Sequence, residues 1–188
     1  MKSIIAIILM TVSIFCLYAA TEAEAKQEAV EITPREEKMG EMLMIGVESI
    51  DTTDTEAYMQ MWAKFFEMDE LISGNVGDAY YGISYMVTNA EGKESWAYMV
   101  AAQVNSLDKI PEGMVSRRIP ARNYLVFEHK GSVEGIASSY EYIYGTYARS
   151  GKHKILFADS LERYDHRYKA GSKDSVVEIW VPVEVNEN

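Results

Sequence analysis

The amino-acid sequence predicts an α+β fold in which one antiparallel sheet carries two main helices on one side. Most apolar runs show the two-residue alternation of a strand, and only two stretches show the three- and four-residue spacing of a helix. The order strand, helix, strand, strand occurs twice along the chain, although the two copies share little residue identity. Chains with many strands and few helices place the helices against one face of an antiparallel sheet. The sequence therefore predicts a pseudo-twofold pair of strand-helix-strand-strand modules.

The first module begins with a strand predicted over residues 41–48 and a helix predicted over 55–72. Strands over 80–88 and 95–104 follow, joined by the turn sequence Asn-Ala-Glu-Gly at 89–92. The helix is indicated by a wide apolar stripe, which must pack against another element. That stripe contains Tyr58, Met61, Trp62, Phe65 and Phe66.

The second module repeats this order. A long strand is predicted over 114–129 and is broken at Pro120, since proline cannot donate to a strand ladder. A helix is predicted over 132–149, a short strand over 156–164 and a final strand over 176–183.

The first 25 residues have the layout of a cleavable secretory signal peptide. Lys2 precedes an apolar run over 4–20, and the small residues Ala23 and Ala25 follow it. A retained membrane anchor is the alternative, but the run is short for a membrane span. We therefore expect residues 1–25 to be removed during export to the periplasm or the cell exterior, which leaves no stable membrane anchor.

The residues after this signal divide into a leader and a domain. Residues 26–38 are polar, rich in Glu and carry Pro34, which predicts a flexible acidic leader. Residues 39–188 have the length and apolar content of one globular domain. Cys16 is the only cysteine and lies in the predicted signal, so we expect no disulfide.

Charge and motif content exclude several functions. The formal net charge is −11, and clustered Lys and Arg are absent, which argues against a nucleic-acid partner. The three histidines lack the spacing of metal ligands, so neither a metal nor another cofactor is predicted. The chain contains no Gly-x-Ser-x-Gly elbow, phosphate-binding glycine loop or dinucleotide fingerprint.

The final strand places a carboxylate within an apolar run. Alternation puts Val177, Ile179 and Val181 on one face, and Glu178 and Trp180 on the other. An acid among aromatic rings can hold a cation or act as a general base. The alternative is a solvent-facing strand side, and the local pattern does not separate the two.

Several segments together resemble the GyrI-like small-molecule-binding family, which includes the effector-binding domains of AraC-type and MerR-type regulators. The resemblance extends over roughly 42–185 and is carried by IPARNYLVFEHKG at 119–131, the aromatic helix at 140–147, LERYD at 161–165 and VEIWVPV at 177–183. It implies a pseudo-twofold fold and a central aromatic cleft, containing an acid, for small molecules that are often cationic and lipophilic. The export signal favours a role outside transcription.

Carried onto this chain, the resemblance implies that Glu178 is the acid of the cleft. It implies that the aromatic wall contains Trp62, Tyr124 and Tyr144 or Tyr147, and Trp180 lies beside the acid. Without a partner, a buried Glu178 would have a raised pKa.

A second acid, Glu162, also lies near an aromatic residue, Tyr164. We expect Glu162 to form a surface ion pair with Arg163 or Arg167.

The first functional hypothesis is an exported binding protein that captures a lipophilic, cationic small molecule in the cleft. The alternative is a hydrolase of the GyrI-like type, in which Glu178 activates water and Tyr124 or Tyr147 assists. A third possibility is an interaction module whose cleft is filled by its own side chains. No particular protein partner is indicated by the sequence.

Overall fold

A computed structural model describes residues 32–52 and 55–184, which form a single eight-stranded antiparallel sheet with two helical segments. The predicted signal peptide and residues 26–31 lie outside the described residues. The strand order across the sheet is β1-β6-β8-β7-β3-β4-β2-β5. The strands are β1 (Arg35–Met39), β2 (Met42–Ile50), β3 (Asn75–Thr88), β4 (Glu94–Val104), β5 (Val115–Ile119), β6 (Arg122–Lys130), β7 (Ser160–Tyr164) and β8 (Val176–Val183).

The predicted pair of modules is confirmed. Helix α1 (Thr55–Met68) lies between β2 and β3 in the chain, and helix α2 (Ile136–Tyr140) lies between β6 and β7. The modules meet where β3 pairs antiparallel with β7, their equivalent strands. A pseudo-twofold axis therefore passes through the β3–β7 seam, midway between the two helical segments.

The outer strands are exchanged between the modules. β1 precedes β2 in the chain but pairs with β6, and β5 precedes β6 but pairs with β2. The prediction of a flexible leader up to residue 38 is therefore wrong for β1, which is paired along its whole length with β6. Its polar composition concealed it, since an edge strand with mostly exposed side chains has no apolar alternation.

The helical segments cover one side of the sheet, which we call the helix side. From α1, Met61 and Phe65 pack on Ile45 of β2 and Val100 of β4. Burial of a side chain the size of Phe65 stabilises the fold by about 1.5–3 kcal/mol. In the second module, Ile143 and other apolar side chains pack on β6 and β8.

The second helical segment has an unusual backbone. A 3₁₀ turn (Val133–Gly135) leads into α2, which continues as a π-helix (Glu141–Tyr147) and ends in another 3₁₀ turn (Ala148–Ser150). The predicted helix over 132–149 is thus helical, but only five of its residues are α-helical. π-helical turns often occur at functional sites.

Within the described residues, no helix is long and apolar enough to span a membrane.

The other side of the sheet, the helix-free side, packs against itself. Its core joins Met44 of β2 and Ile119 of β5 to Tyr124 of β6, although these strands lie toward opposite ends of the strand order. Among residues 32–52 and 55–184, this core contains no residue of a helical segment. The sheet must therefore curl strongly, which the right-handed twist of β-strands favours.

Candidate functional site

On the helix side, the β3–β7 seam lies between the two helical segments, and we call this region the cleft. Glu162 of β7 lies on its floor, directly opposite Gly82 of β3. The Glu162 side chain is half-buried. Because alternate residues of a strand point to opposite faces, Leu161 and Arg163 point to the helix-free side instead.

Three tyrosine hydroxyls donate hydrogen bonds to the Glu162 carboxylate. Tyr140 Oη lies 2.6 Å from Oε1, while Tyr164 Oη and Tyr98 Oη lie 2.9 Å and 3.1 Å from Oε2. Burial, followed by the charge of Glu162, raises the pKa of all three phenols well above the ordinary value. The phenols therefore stay protonated and neutral, and they orient the carboxylate without compensating its charge.

The expected ion pair of Glu162 with Arg163 or Arg167 is wrong. In residues 32–52 and 55–184, Glu162 forms no ion pair, and both arginines bond to Glu178 and Asp165 on the other side of the sheet. Arg163 is adjacent to Glu162 on β7, so strand alternation points its side chain to the opposite face. Arg167 lies in the loop after β7, outside the strand. Glu162 is thus a carboxylate among neutral donors.

Aromatic rings form the walls of this cleft. On the α1 side, Trp62 meets Tyr164 edge to face, with 4.7 Å between ring centroids, and Tyr164 meets Tyr168 at 5.1 Å. On the opposite wall, Tyr140 and Tyr144 stack with their planes 3° apart and their centroids 6.2 Å apart. A ligand above Glu162 would therefore contact the faces and edges of aromatic rings on both walls of the cleft.

Glu178 has a different environment, on the helix-free side. Its residue is only 3% exposed. Its Oε1 accepts bonds from Arg167 at 2.6 Å and Arg35 at 2.7 Å, and its Oε2 accepts one from Trp180 Nε1 at 3.0 Å, with Arg163 at 3.5 Å. Burial alone would raise its pKa, but the bonds from Arg167, Arg35 and Trp180 together lower the pKa of Glu178.

Glu178 is therefore paired, and the raised pKa expected of an unpaired carboxylate does not arise. A carboxylate that already accepts bonds from two arginines has little attraction left for a ligand cation. The same contacts make it a weak general base, since hydrogen bonding to the charged form lowers the proton affinity of a carboxylate. These contacts therefore disfavour Glu178 as the general base of the hydrolase hypothesis.

The structure places five of the six predicted site residues in two groups, and the sixth, Tyr147, in a third place. Trp62 and Tyr144 lie at the cleft on the helix side. Glu178, Trp180 and Tyr124 lie together on the helix-free side, where the rings of Tyr124 and Trp180 meet at 5.9 Å.

Tyr147 is the last residue of the π-helix, and its side chain packs in the core of the second module. Its ring meets Phe127 at 5.1 Å, and its hydroxyl bonds His153 at 2.9 Å. These contacts of Tyr147 involve neither Glu162 nor Glu178. The predicted site residues therefore do not form one cleft.

Sequence reasoning named Glu162 but assigned it to the surface. A signal was present, because Glu162 and Tyr164 show the same acid-and-aromatic spacing on one strand face as Glu178 and Trp180. What distinguishes the two acids is position: β7 borders the pseudo-twofold seam, and β8 does not.

Among the described residues, no group of His, Cys, Asp and Glu is placed to hold a metal ion.

Two facing modules with an aromatic cleft at their seam define the class of small-molecule-binding effector domains. The chain belongs to the GyrI-like small molecule binding domain family, whose model matches residues 32–184. The resemblance recognised in the sequence is thereby confirmed.

One relative by sequence is the transcriptional regulator BrlR of Pseudomonas aeruginosa, which is 29% identical over 143 residues. This match covers 74% of the present chain and 51% of BrlR, so the chain spans about half the length of that relative.

Two solved structures share the fold. The structure of SAV2435 bound to tetraphenylphosphonium has a TM-score of 0.66 at 17% identity, covering 81% of this chain and 94% of that one. The C-terminal domain of EcmrR has a TM-score of 0.61 at 20% identity, covering 82% of this chain and 98% of that domain. At these identities, the likeness is evidence for the fold alone.

Proposed function

We propose that this protein binds a lipophilic organic cation in the cleft, with Glu162 as the counter-charge. The observation that carries the proposal is the environment of the Glu162 carboxylate, which is half-buried among aromatic rings and held by three neutral phenols. An uncompensated carboxylate in such a place is costly unless a cation reaches it. A bound cation supplies the missing charge.

The walls suit a cation that carries apolar groups. A ring face within about 6 Å of a positive charge adds about 0.5–2 kcal/mol of attraction, with the larger value where water is excluded. Trp62, Tyr164 and Tyr144 offer such rings on two sides of Glu162. The structure of SAV2435 with tetraphenylphosphonium, a lipophilic cation, supports this choice of ligand class on the same fold.

The test compares a cation with a neutral molecule of similar shape. Titration calorimetry on the full chain would use tetraphenylphosphonium and, as its neutral counterpart, triphenylphosphine oxide. Glu162→Gln keeps the size of the side chain and removes its charge. We expect it to weaken tetraphenylphosphonium binding by about 10-fold or more, since unit charges about 4 Å apart near a protein surface attract by about 4 kcal/mol. Binding of the neutral molecule should change by less than about 3-fold.

Glu178→Gln is the matched control, because it makes the same chemical change on the helix-free side of the sheet. It should leave the affinity for tetraphenylphosphonium nearly unchanged. Equal losses for the cation and the neutral molecule in Glu162→Gln would reject Glu162 as the counter-charge. A selective loss of the cation in Glu178→Gln would restore the original assignment of the site.

We also propose that capture takes place outside the cytoplasm. The signal-like layout of residues 1–25 supports this location. Cell fractionation with mass spectrometry of the mature N-terminus tests it directly. A cytoplasmic protein that retains Met1 would refute the proposed export and leave the binding proposal intact.

A further inference from the structure

A second pocket lies on the helix-free side, at an open end of the curled sheet. It is a cavity of about 310 Å³, and the β1–β2 connection borders it. We call it the end pocket. Most of its lining is apolar and comes from Met39, Met42, Tyr81, Leu161 and Trp180.

The charged side chains at the end pocket already have partners. Arg163 pairs with Asp165 at 2.6 Å and Asp78 at 3.1 Å, and Glu41 pairs with Arg118 at 2.5 Å. No uncompensated charge therefore faces this space from these two residues. This contrasts with the cleft, where the Glu162 carboxylate has only neutral donors.

One polar group at the end pocket remains available. The side-chain amide of Gln103, on β4, lines the cavity and forms no hydrogen bond with the part of the chain that the structure describes. An amide offers both a donor and an acceptor. A small molecule with a single polar group could therefore bond to Gln103 while its apolar part contacts the rest of the lining.

We propose that the end pocket binds a second ligand, a compact and neutral aromatic molecule with one hydrogen-bonding group directed at Gln103. The volume is at the lower end of the range of about 300–1,000 Å³ that small-molecule sites occupy. The flexible thioethers of Met39 and Met42 can adapt to a ring, and sulfur–aromatic contacts are favourable.

The sheet itself separates this pocket from the cleft. Adjacent residues of β3 and β7 point to opposite faces of the sheet. Gly82 and Glu162 face the cleft, whereas Tyr81 and Leu161 face the end pocket. The two ligands would thus differ in charge and would bind on opposite sides. The proposal goes beyond the proposed cation binding and does not depend on it.

The experiment uses indole, a neutral ring system with one N–H donor, and 1-methylindole, which lacks that donor. The full chain is labelled at its methionine methyl groups with ¹³C, and the Met39 and Met42 signals are assigned with Met39→Leu and Met42→Leu. We expect indole to shift these two signals saturably. Gln103→Leu should weaken indole by about 5-fold, the equivalent of one neutral hydrogen bond, and change 1-methylindole by less than about 2-fold.

Glu162→Gln is the control that separates the two sites. It should leave indole binding unchanged, and saturating tetraphenylphosphonium should not displace indole. Unshifted Met39 and Met42 signals at the solubility limit of indole would overturn the proposal, as would equal responses of both indoles to Gln103→Leu. Displacement of indole by tetraphenylphosphonium would place it in the cleft and also overturn the proposal, while leaving the cation site intact.

Discussion

Gly82 offers a sharp test of the cleft geometry, because its missing side chain makes room for the bond between Tyr98 and Glu162. A Cβ added at Gly82 would lie 2.2 Å from Tyr98 Oη and 2.9 Å from Glu162 Oε2, whereas ordinary contacts are 3.4–4 Å. Tyr98 has little room to retreat, since it is 7% exposed and its ring meets Tyr58 at 4.7 Å. Gly82→Ala must therefore displace the hydroxyl, the carboxylate or the strand backbone.

The expected cost has two parts. Overpacking a filled interior destabilises a protein by about 1–3 kcal/mol. Loss of the hydrogen bond from Tyr98 to the charged Glu162 costs about 1.5–3 kcal/mol, part of which the carboxylate recovers from water in the half-exposed cleft. We expect Gly82→Ala to lower the free energy of unfolding by about 2–4 kcal/mol. Displacement of the Glu162 carboxylate should also lower the affinity for tetraphenylphosphonium by about 10-fold, which corresponds to about 1.4 kcal/mol.

A double-mutant cycle in urea distinguishes this clash from general damage to β3. Tyr98→Phe removes the oxygen that an alanine Cβ would meet, although Cζ at 2.9 Å keeps the relief partial. The double variant should therefore be more stable than the sum of the two single changes by about 1 kcal/mol. Additivity within about 0.5 kcal/mol would show that the Cβ and the hydroxyl do not compete for the same space, and the geometry argued for the cleft floor would be refuted.

Three further changes test the two sides of the sheet. Although burial opposes it, bonding from Arg167 lowers the pKa of Asp165 from 3.8 to about 2. A lowered carboxyl pKa contributes stability above about pH 4, and this stability is lost as the pH falls toward 2. Asp165→Asn should therefore lower the free energy of unfolding by about 2 kcal/mol at pH 7 and by progressively less in acid. A difference in urea stability between the two proteins that is constant with pH would contradict this. Glu178→Gln leaves Arg35 and Arg167 without their shared carboxylate and should lower the free energy of unfolding by about 2–4 kcal/mol in urea; an unchanged midpoint would show that the arginines find other partners. Trp62→Leu removes one ring from the cleft. It should weaken tetraphenylphosphonium by about 2- to 30-fold in calorimetry, from the 0.5–2 kcal/mol expected for one cation–π contact, and affect the neutral phosphine oxide less. Equal losses for both ligands would mean that Trp62 contributes only apolar area.

Local patterns predicted most of the secondary structure because they depend on neighbours in the chain. The apolar stripe of α1 and the alternation of β8 are visible without tertiary contacts. β8 forms as predicted, whereas α1, predicted over 55–72, ends at Met68 and is followed by a 3₁₀ turn (Asp69–Leu71). β1 escaped prediction because it is an exposed edge strand stabilised by its pairing with β6. The π-helix escaped too, since side-chain spacing predicts a helix but does not specify which backbone hydrogen bonds it forms.

The sequence by itself determined the fold class, the two-module order and the family, because alternation and helical spacing are properties of the chain alone. It also supplied two acids with identical strand-face spacing to an aromatic residue, Glu162 and Glu178. Only the tertiary structure decided between them. The pairing of β1 with β6, next to β8, brings Arg35 to Glu178, and the loop after β7 brings Arg167. The pseudo-twofold seam instead surrounds Glu162 with neutral phenols from β4, α2 and β7. Whether a carboxylate is neutralised depends on residues distant in sequence, and no local pattern encodes those contacts.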